Sequence, residues 1–178
     1  KINQEVKKTF IKYSIDFEEG QHSVFNKKNT DFIIKSPGIS NESNLIKNLK
    51  LNKINVISEI EFASKYTNAI IIGITGSNGK TTTTILTYEI LKKAGLNVEI
   101  AGNIGNSFAK SVAEKKFDYC VLELSSFQLD DIKNFSPKYA VITNITPDHL
   151  DRYNNDFEDY IKSKLRITLN QTNKDYLI

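Results

Sequence analysis

The densest chemistry in the sequence lies in Gly73-Ile74-Thr75-Gly76-Ser77-Asn78-Gly79-Lys80-Thr81-Thr82. A glycine-rich loop after an apolar strand and before a helix lets backbone N–H groups approach and cradle phosphate oxygens. Lys80 reaches the β- and γ-phosphates of a nucleotide in such a loop, and the Thr81 hydroxyl can ligate Mg²⁺. Gly76, Ser77, Asn78, Gly79, Lys80, Thr81 and Thr82 are therefore the candidate ATP-binding residues. The usual pattern has a further glycine five residues before Gly79, where this chain has Ile74, but the Gly-Lys-Thr-Thr tail is intact.

Three other side chains could act on a bound phosphate. Glu123 follows the apolar run Tyr119–Leu122, and a carboxylate at the C-terminal end of a buried strand is well placed to hold Mg²⁺. His149 follows a second strand and is flanked by Asp148 and Asp151. Lys164 lies fifteen residues after His149, and in a chain with 22 lysines it reads, by itself, as a solvated cation. Asn103, Ser125, Ser126 and Gln128 are neutral hydrogen-bonding groups suited to a sugar or peptide-like substrate, although each singly reads as a cap or turn residue. Arg152 could grip an anion bidentately or pair with Asp148 or Asp156.

These residues need a scaffold, and the pattern predicts an α/β one. Residues 31–35 read as a strand closed by Ser36-Pro37-Gly38, with Asn41-Glu42-Ser43 capping a helix through about Leu51. A strand at Ile54–Ile57 and a short helix at Glu59–Tyr66 follow. After the polar joint Lys65–Asn68, Ala69–Thr75 is a nearly continuous apolar strand, as in a buried parallel sheet. A helix over Lys80–Ala94, with Ile85, Leu86, Ile90 and Leu91 expected on one face, stops at Gly95. Further strands are predicted at Val98–Ala101, Asp118–Leu124 and Tyr139–Thr143. Helices are predicted to about Ala113 and over Asp156–Leu169. The fold class expected is a partial Rossmann-like domain over residues 1–66, followed over 67–178 by part of a mainly parallel phosphate-loop domain.

Composition narrows the possibilities further. With 39% hydrophobic and 25% charged residues, a packed core is expected. A net charge of +3, from 24 basic and 21 acidic residues, is too balanced to imply nucleic acid. No apolar run approaches transmembrane length, and Lys1–Lys12 lacks the apolar core of a signal peptide. Cys120, the one cysteine, reads as a buried strand residue, and the whole suits a cytoplasmic protein. The chain starts at Lys1 and ends in the strand-like Tyr176-Leu177-Ile178, so a piece of a longer protein is expected.

Thr75–Thr82 resembles the phosphate loop of Mur ligases and folylpolyglutamate synthases. Downstream come Gly102-Asn103-Ile104-Gly105, Glu123-Leu124-Ser125-Ser126-Phe127-Gln128-Leu129 and Thr143–Tyr153 with its Pro147-Asp148-His149 core. In that order they resemble the D-glutamate-adding branch of the Mur ligases, and Lys35–Ile39 resembles its loop near the uridine nucleotide. The resemblance runs from about Glu18 to Ile167. It implies an ATP- and Mg²⁺-dependent ligase that joins D-glutamate to UDP-N-acetylmuramoyl-L-alanine through an acyl phosphate, in peptidoglycan precursor synthesis. It implies a monomer acting on small molecules, with no nucleic-acid or membrane partner. Lys80, Glu123, His149 and Lys164 take catalytic roles. One metal goes to Thr81 and Glu123 and a second to His149 and Lys164, the lysine carbamylated so that a cation becomes an anion. Gly38, Asn103, Ser125, Ser126, Gln128 and Arg152 take the substrate, while His22 is read as structural. The domain for the incoming amino acid is missing, so the chain alone is expected to be inactive. Two other readings use the same loop: another ligase of this superfamily, or a phosphate-loop ATPase or kinase that forms no amide.

Overall fold

The computed structural model describes residues 2–20 and 30–178; His22 lies outside the described residues. The chain divides into a small unit, Lys1–Asp31, and a large one, Phe32–Ile178. In the small unit the lysine-rich start forms helix α1, Gln4–Lys12, which the absence of an apolar run gave no reason to expect. Asn3 caps it, and Lys7 pairs with Glu19 at 2.5 Å.

The large unit opens with a two-stranded parallel sheet, β1 (Phe32–Lys35) and β2 (Asn55–Ser58), joined by helix α2 (Asn44–Leu51). Ser43 provides the predicted cap, accepting from the Ile46 N–H. Ile46, Leu49, Ile54 and Val56 close a small core of their own. Helix α3, Glu59–Ser64, then leads through the polar joint near Thr67 to the main sheet.

That sheet runs in the order β4 (Val98–Gly102), β5 (Tyr119–Glu123), β3 (Ile70–Thr75), β6 (Tyr139–Ile142), β7 (Tyr176–Leu177), and every pairing is parallel. Its strands are apolar because both faces are covered: Ile74, Cys120, Val121, Leu122 and Ala140 have almost no exposure. Helices α4 (Lys80–Lys93), α5 (Phe108–Glu114), α6 (Ser126–Leu129) and α7 (Phe157–Leu165) make the connections, and a 3₁₀ turn at Arg166–Thr168 ends the stretch predicted as one helix to Leu169. Parallel strands put all their C-terminal ends on one edge. The phosphate loop after β3, Gly102 at the end of β4, Glu123 at the end of β5 and Thr143 after β6 therefore share that edge.

One expectation fails. Ile85, Leu86 and Ile90 of α4 are exposed at 46%, 59% and 59%, Leu91 is half-buried, and the helix buries only Thr84. At roughly 100° per residue, positions 85, 86, 90 and 91 spread over more than half of the helix circumference and do not form a single stripe.

Two buried carboxylates fix the smaller sheet's segment against the larger. Glu61 of α3 accepts N–H bonds from Lys133, Asn134 and Phe135 at 2.9, 3.0 and 2.9 Å. Burial opposes its charge, but these three N–H groups outweigh burial and hold the carboxyl below its usual range. Asp131 pairs with Lys35 at 2.6 Å, both nearly inaccessible, and its carbonyl receives the Ser58 N–H. Removing Glu61 leaves three N–H groups unsatisfied, so Glu61→Ala should cost about 3 kcal/mol in urea unfolding at pH 7. A carboxyl with a lowered folded value contributes stability above its unfolded value. The gap between variant and wild type should therefore narrow as pH falls below about 4.5.

Candidate active site

The phosphate loop is stitched from behind by the segment after β6. Asn144 receives the Ser77 N–H on its carbonyl and the Asn78 N–H on its side chain, at 2.9 and 3.0 Å. The Thr143 hydroxyl and the Asn144 amide both donate to the Asn78 carbonyl. The Ser77 hydroxyl donates to the Thr146 carbonyl at 2.8 Å, accepts the Thr146 N–H at 3.0 Å and meets the Tyr160 hydroxyl at 3.0 Å. Gly76 has no alternative: its φ is +147°, and a Cβ there would stand 2.0 Å from the Thr143 hydroxyl. Sequence reading missed Thr143, Asn144, Thr146 and Tyr160 as the loop's supports. Their signal, short polar residues just past a strand, is that of any turn.

Ser77 and Asn78 thus spend their N–H groups inward, and the donors left over are those opening α4. Helices α1, α2, α3, α5, α6 and α7 start on a side-chain cap from Asn3, Ser43, Ser58, Ser107, Ser125 or Asp156. Helix α4 alone among the described α-helices has none. Its N-cap is Gly79 at φ +80°, and Lys80, Thr81 and Thr82 form its first turn. Uncapped N–H groups and the positive end of the helix dipole attract an anion.

Two ammonium groups add to that field. Lys80 Nζ donates to the carbonyls of Gly76 and Ser77, each at 2.9 Å, and Lys164 Nζ donates to the same Gly76 carbonyl at 2.8 Å. Lys164 is 2% exposed, its amine lies 4.6 Å from the Tyr160 ring centre, and it forms no ion pair among the described residues. Burial, with the nearby Lys80 charge, pushes its pKa down to about 8.

Opposite the loop, Glu123 is 1% exposed and also forms no ion pair among the described residues. Its Oε2 accepts the Thr81 hydroxyl at 2.8 Å and its Oε1 the Asn103 amide at 2.7 Å. A buried carboxylate held only by neutral donors, beside a hydroxyl, is a donor set suited to Mg²⁺, so Thr81 and Glu123 fit that ion. Among the described residues, no group of three or more His, Cys, Asp and Glu side chains gathers as a metal cage. His149 takes a left-handed conformation, φ +50°, with an exposed ring 5.6 Å from Phe127 and Nε2 3.5 Å from Asp148. As an ammonium, Lys164 cannot ligate a cation; only a carbamate there would fit the second metal.

The expected substrate residues divide into two groups. Arg152 donates to the Pro37 carbonyl at 3.2 Å and lies 4.5 Å from the Phe127 ring centre; neither Asp148 nor Asp156 pairs with it. Arg152 lines a cleft of about 410 Å³ with Lys35, Pro37, Phe127, Asp130 and Ser163; Gly38, Ser125, Ser126, Gln128 and His149 are not among its walls. Ser125 and Gln128 form the capping box of α6, and Ser126 is buried with its carbonyl accepting from Ser163. Ser163 also donates to Asp130 at 2.6 Å, locking α7, and with it Lys164, against α6. Asn103 stands apart, with Glu123.

An uncapped helix behind a glycine loop, at the carboxyl edge of a parallel sheet, defines a phosphate-loop nucleotide-binding α/β protein. Comparison with known proteins is more specific: residues 74–178 match the Mur ligase middle domain, and the chain belongs to the Mur ligase family. It is 56% identical over 166 residues to the UDP-N-acetylmuramoylalanine–D-glutamate ligase of Bacteroides fragilis, covering 93% of this chain and 37% of that protein. It is 51% identical over all 178 residues to the enzyme of the same name from Christiangramia forsetii, covering 40% of it. The chain thus spans about two-fifths of the length of these relatives. In fold it is similar to the UDP-N-acetylmuramate:L-alanyl-γ-D-glutamyl-meso-diaminopimelate ligase of Neisseria meningitidis. That match has a TM-score of 0.60 at 17% identity and covers 99% of this chain and 60% of the other. No helix among the described residues is long and apolar enough to cross a membrane.

Two substitutions test this geometry. Gly76→Ala should lose about 2–4 kcal/mol of stability, measured by chemical denaturation, because the new Cβ drives the loop off Thr143. Lys164→Met should raise stability in CO₂-free buffer by roughly 1–3 kcal/mol at pH 7, by removing a buried cation. The folded amine's value is depressed, so the wild-type penalty is complete below about 8 and fades towards 10.5. The two thermal unfolding curves should converge over that window.

Proposed function

We propose that this chain carries the ATP-binding and part of the substrate-binding machinery of an ATP-dependent amide ligase that adds D-glutamate to UDP-N-acetylmuramoyl-L-alanine. One observation carries the reading. Lys80 and Lys164 converge on the Gly76 carbonyl beside an uncapped helix, and neither ammonium forms an ion pair among the described residues. Two anions that must meet, a γ-phosphate and a substrate carboxylate, would both be drawn there.

The chemistry follows from those charges. A carboxylate oxygen of the muramyl substrate attacks the γ-phosphorus, and the bond to ADP breaks. The D-glutamate amine then attacks the acyl carbon, inorganic phosphate leaves, and the nitrogen loses its proton. Lys80 and the α4 N–H groups hold the transferring phosphate as charge moves from one oxygen to another. Magnesium on Thr81 and Glu123 would withdraw charge from the phosphate oxygens. Carbamylation of Lys164 needs its neutral amine, which a pKa of about 8 supplies in part near neutral pH, and would convert it into an anionic partner for His149 and a second ion. Arg152, which lines the cleft, takes the nucleotide-sugar side together with Gly38 and the Ser125–Gln128 segment. Residues 1–66 belong to the substrate-binding domain and 67–178 to the ATP-binding domain. The protein works in the cytoplasm, where these substrates are small and soluble, and the 178-residue chain alone does not turn over.

Phosphate release by the whole ligase should require ATP, Mg²⁺, UDP-N-acetylmuramoyl-L-alanine and D-glutamate together, with one phosphate per amide. ATP hydrolysis indifferent to both the muramyl substrate and D-glutamate would leave only an ATPase.

A further inference from the structure

The Asn103 side-chain amide is tied to Glu123. Its amide donates to Glu123 Oε1 at 2.7 Å, and its backbone N–H donates to the Glu123 carbonyl at 2.9 Å. Gly102 makes this double grip possible. It is the register partner of Glu123 across β4 and β5, at φ +105°, and a Cβ on it would stand 2.3 Å from the Glu123 carbonyl oxygen. The backbone of residues 102–103 is therefore pressed onto Glu123, and the Asn103 side chain reaches over the carboxylate.

We infer that Asn103 is a positioning residue for Glu123, fixing that carboxylate for the divalent ion; this rests on the metal role given to Glu123 above. Two donors divide the carboxylate. Asn103 takes Oε1, which leaves Oε2 on the side of Thr81, where the phosphate loop begins. The amide is neutral, so it orients Glu123 without cancelling its charge, as a lysine would. Without it, the carboxylate keeps one tether and can rotate about its last bond. Groups behind a metal ligand commonly set affinity by about 10–100-fold when removed. Asn103 is not among the residues that line the cleft of Arg152 and Phe127.

The test reads metal binding with no muramyl substrate present. Mn²⁺ is titrated by electron paramagnetic resonance into the 178-residue chain with ADP, and ADP binding is measured separately in EDTA. Asn103→Ala should weaken Mn²⁺ binding about tenfold and leave metal-free ADP binding unchanged. Asn103→Asp, which keeps the shape but removes the donor and adds like charge, should weaken it at least as much. In Glu123→Gln the further change Asn103→Ala should have little effect, because the carboxylate it orients is gone. The inference is overturned if Asn103→Ala leaves Mn²⁺ affinity unchanged, lowers metal-free ADP affinity equally, or acts by the same factor with and without the Glu123 carboxylate. A wild-type chain that binds ADP but no Mn²⁺ would remove the metal role of Glu123 itself, and this inference with it. Thermal unfolding of each variant identifies any loss that is merely loss of fold.

Discussion

Two ammonium groups that converge without an ion pair among the described residues are the feature around which the site is arranged. Lys80 and Lys164 come from different helices, yet both donate to the carbonyl of Gly76, and the helix that starts there has no side chain over its N-terminus. Like charges brought together in a buried place are unfavourable unless something negative completes them. Burial first, and the Lys80 charge second, depress the pKa of Lys164 accordingly. A polyphosphate would repay that cost, so the same arrangement that strains the free site organises the bound one.

Holding that arrangement takes rigid supports on several sides. The segment Thr143–Thr146 clamps the phosphate loop, Ser163 and Asp130 clamp α7, and Tyr160 touches Ser77 while its ring lies beside Lys164. Glu61 and the Lys35–Asp131 pair fasten the smaller sheet's segment to the larger. Glu61, Thr143 and Ser77 bond backbone groups, while Ser163–Asp130, Tyr160–Ser77 and Lys35–Asp131 join side chain to side chain. Position in the site is thus inherited from the sheet edge and refined by polar contacts that have no chemistry of their own.

Relatives that share about half of this chain's residues, together with the middle-domain match, place it in the Mur ligase family. Three of the expected substrate residues nevertheless have local duties. Ser125 and Gln128 cap each other, and Asn103 holds Glu123. A polar residue in a family motif can be kept for the geometry of a neighbour as readily as for a ligand.

Much of this was legible in the residues. Short apolar runs gave the strands, Ser43 gave a helix start, and the spacing Gly79-Lys80-Thr81 with Glu123 after a strand gave the nucleotide edge, because these depend on local conformation and short-range periodicity. Local pattern misjudged α4, whose apolar residues do not share a face, and overlooked α1 and the single turn of α6. What no local pattern contains is which partner a side chain meets. Lys164 among 22 lysines, Asn103 on Glu123, Arg152 on Phe127 and Pro37, and the clamp of Asn144 all depend on chain segments roughly 20 to 115 residues apart that only the parallel sheet brings to one edge. The sequence determined the kinds of groups available; the tertiary fold decided which of them face one another, and so which ammonium groups converge without an ion pair among the described residues.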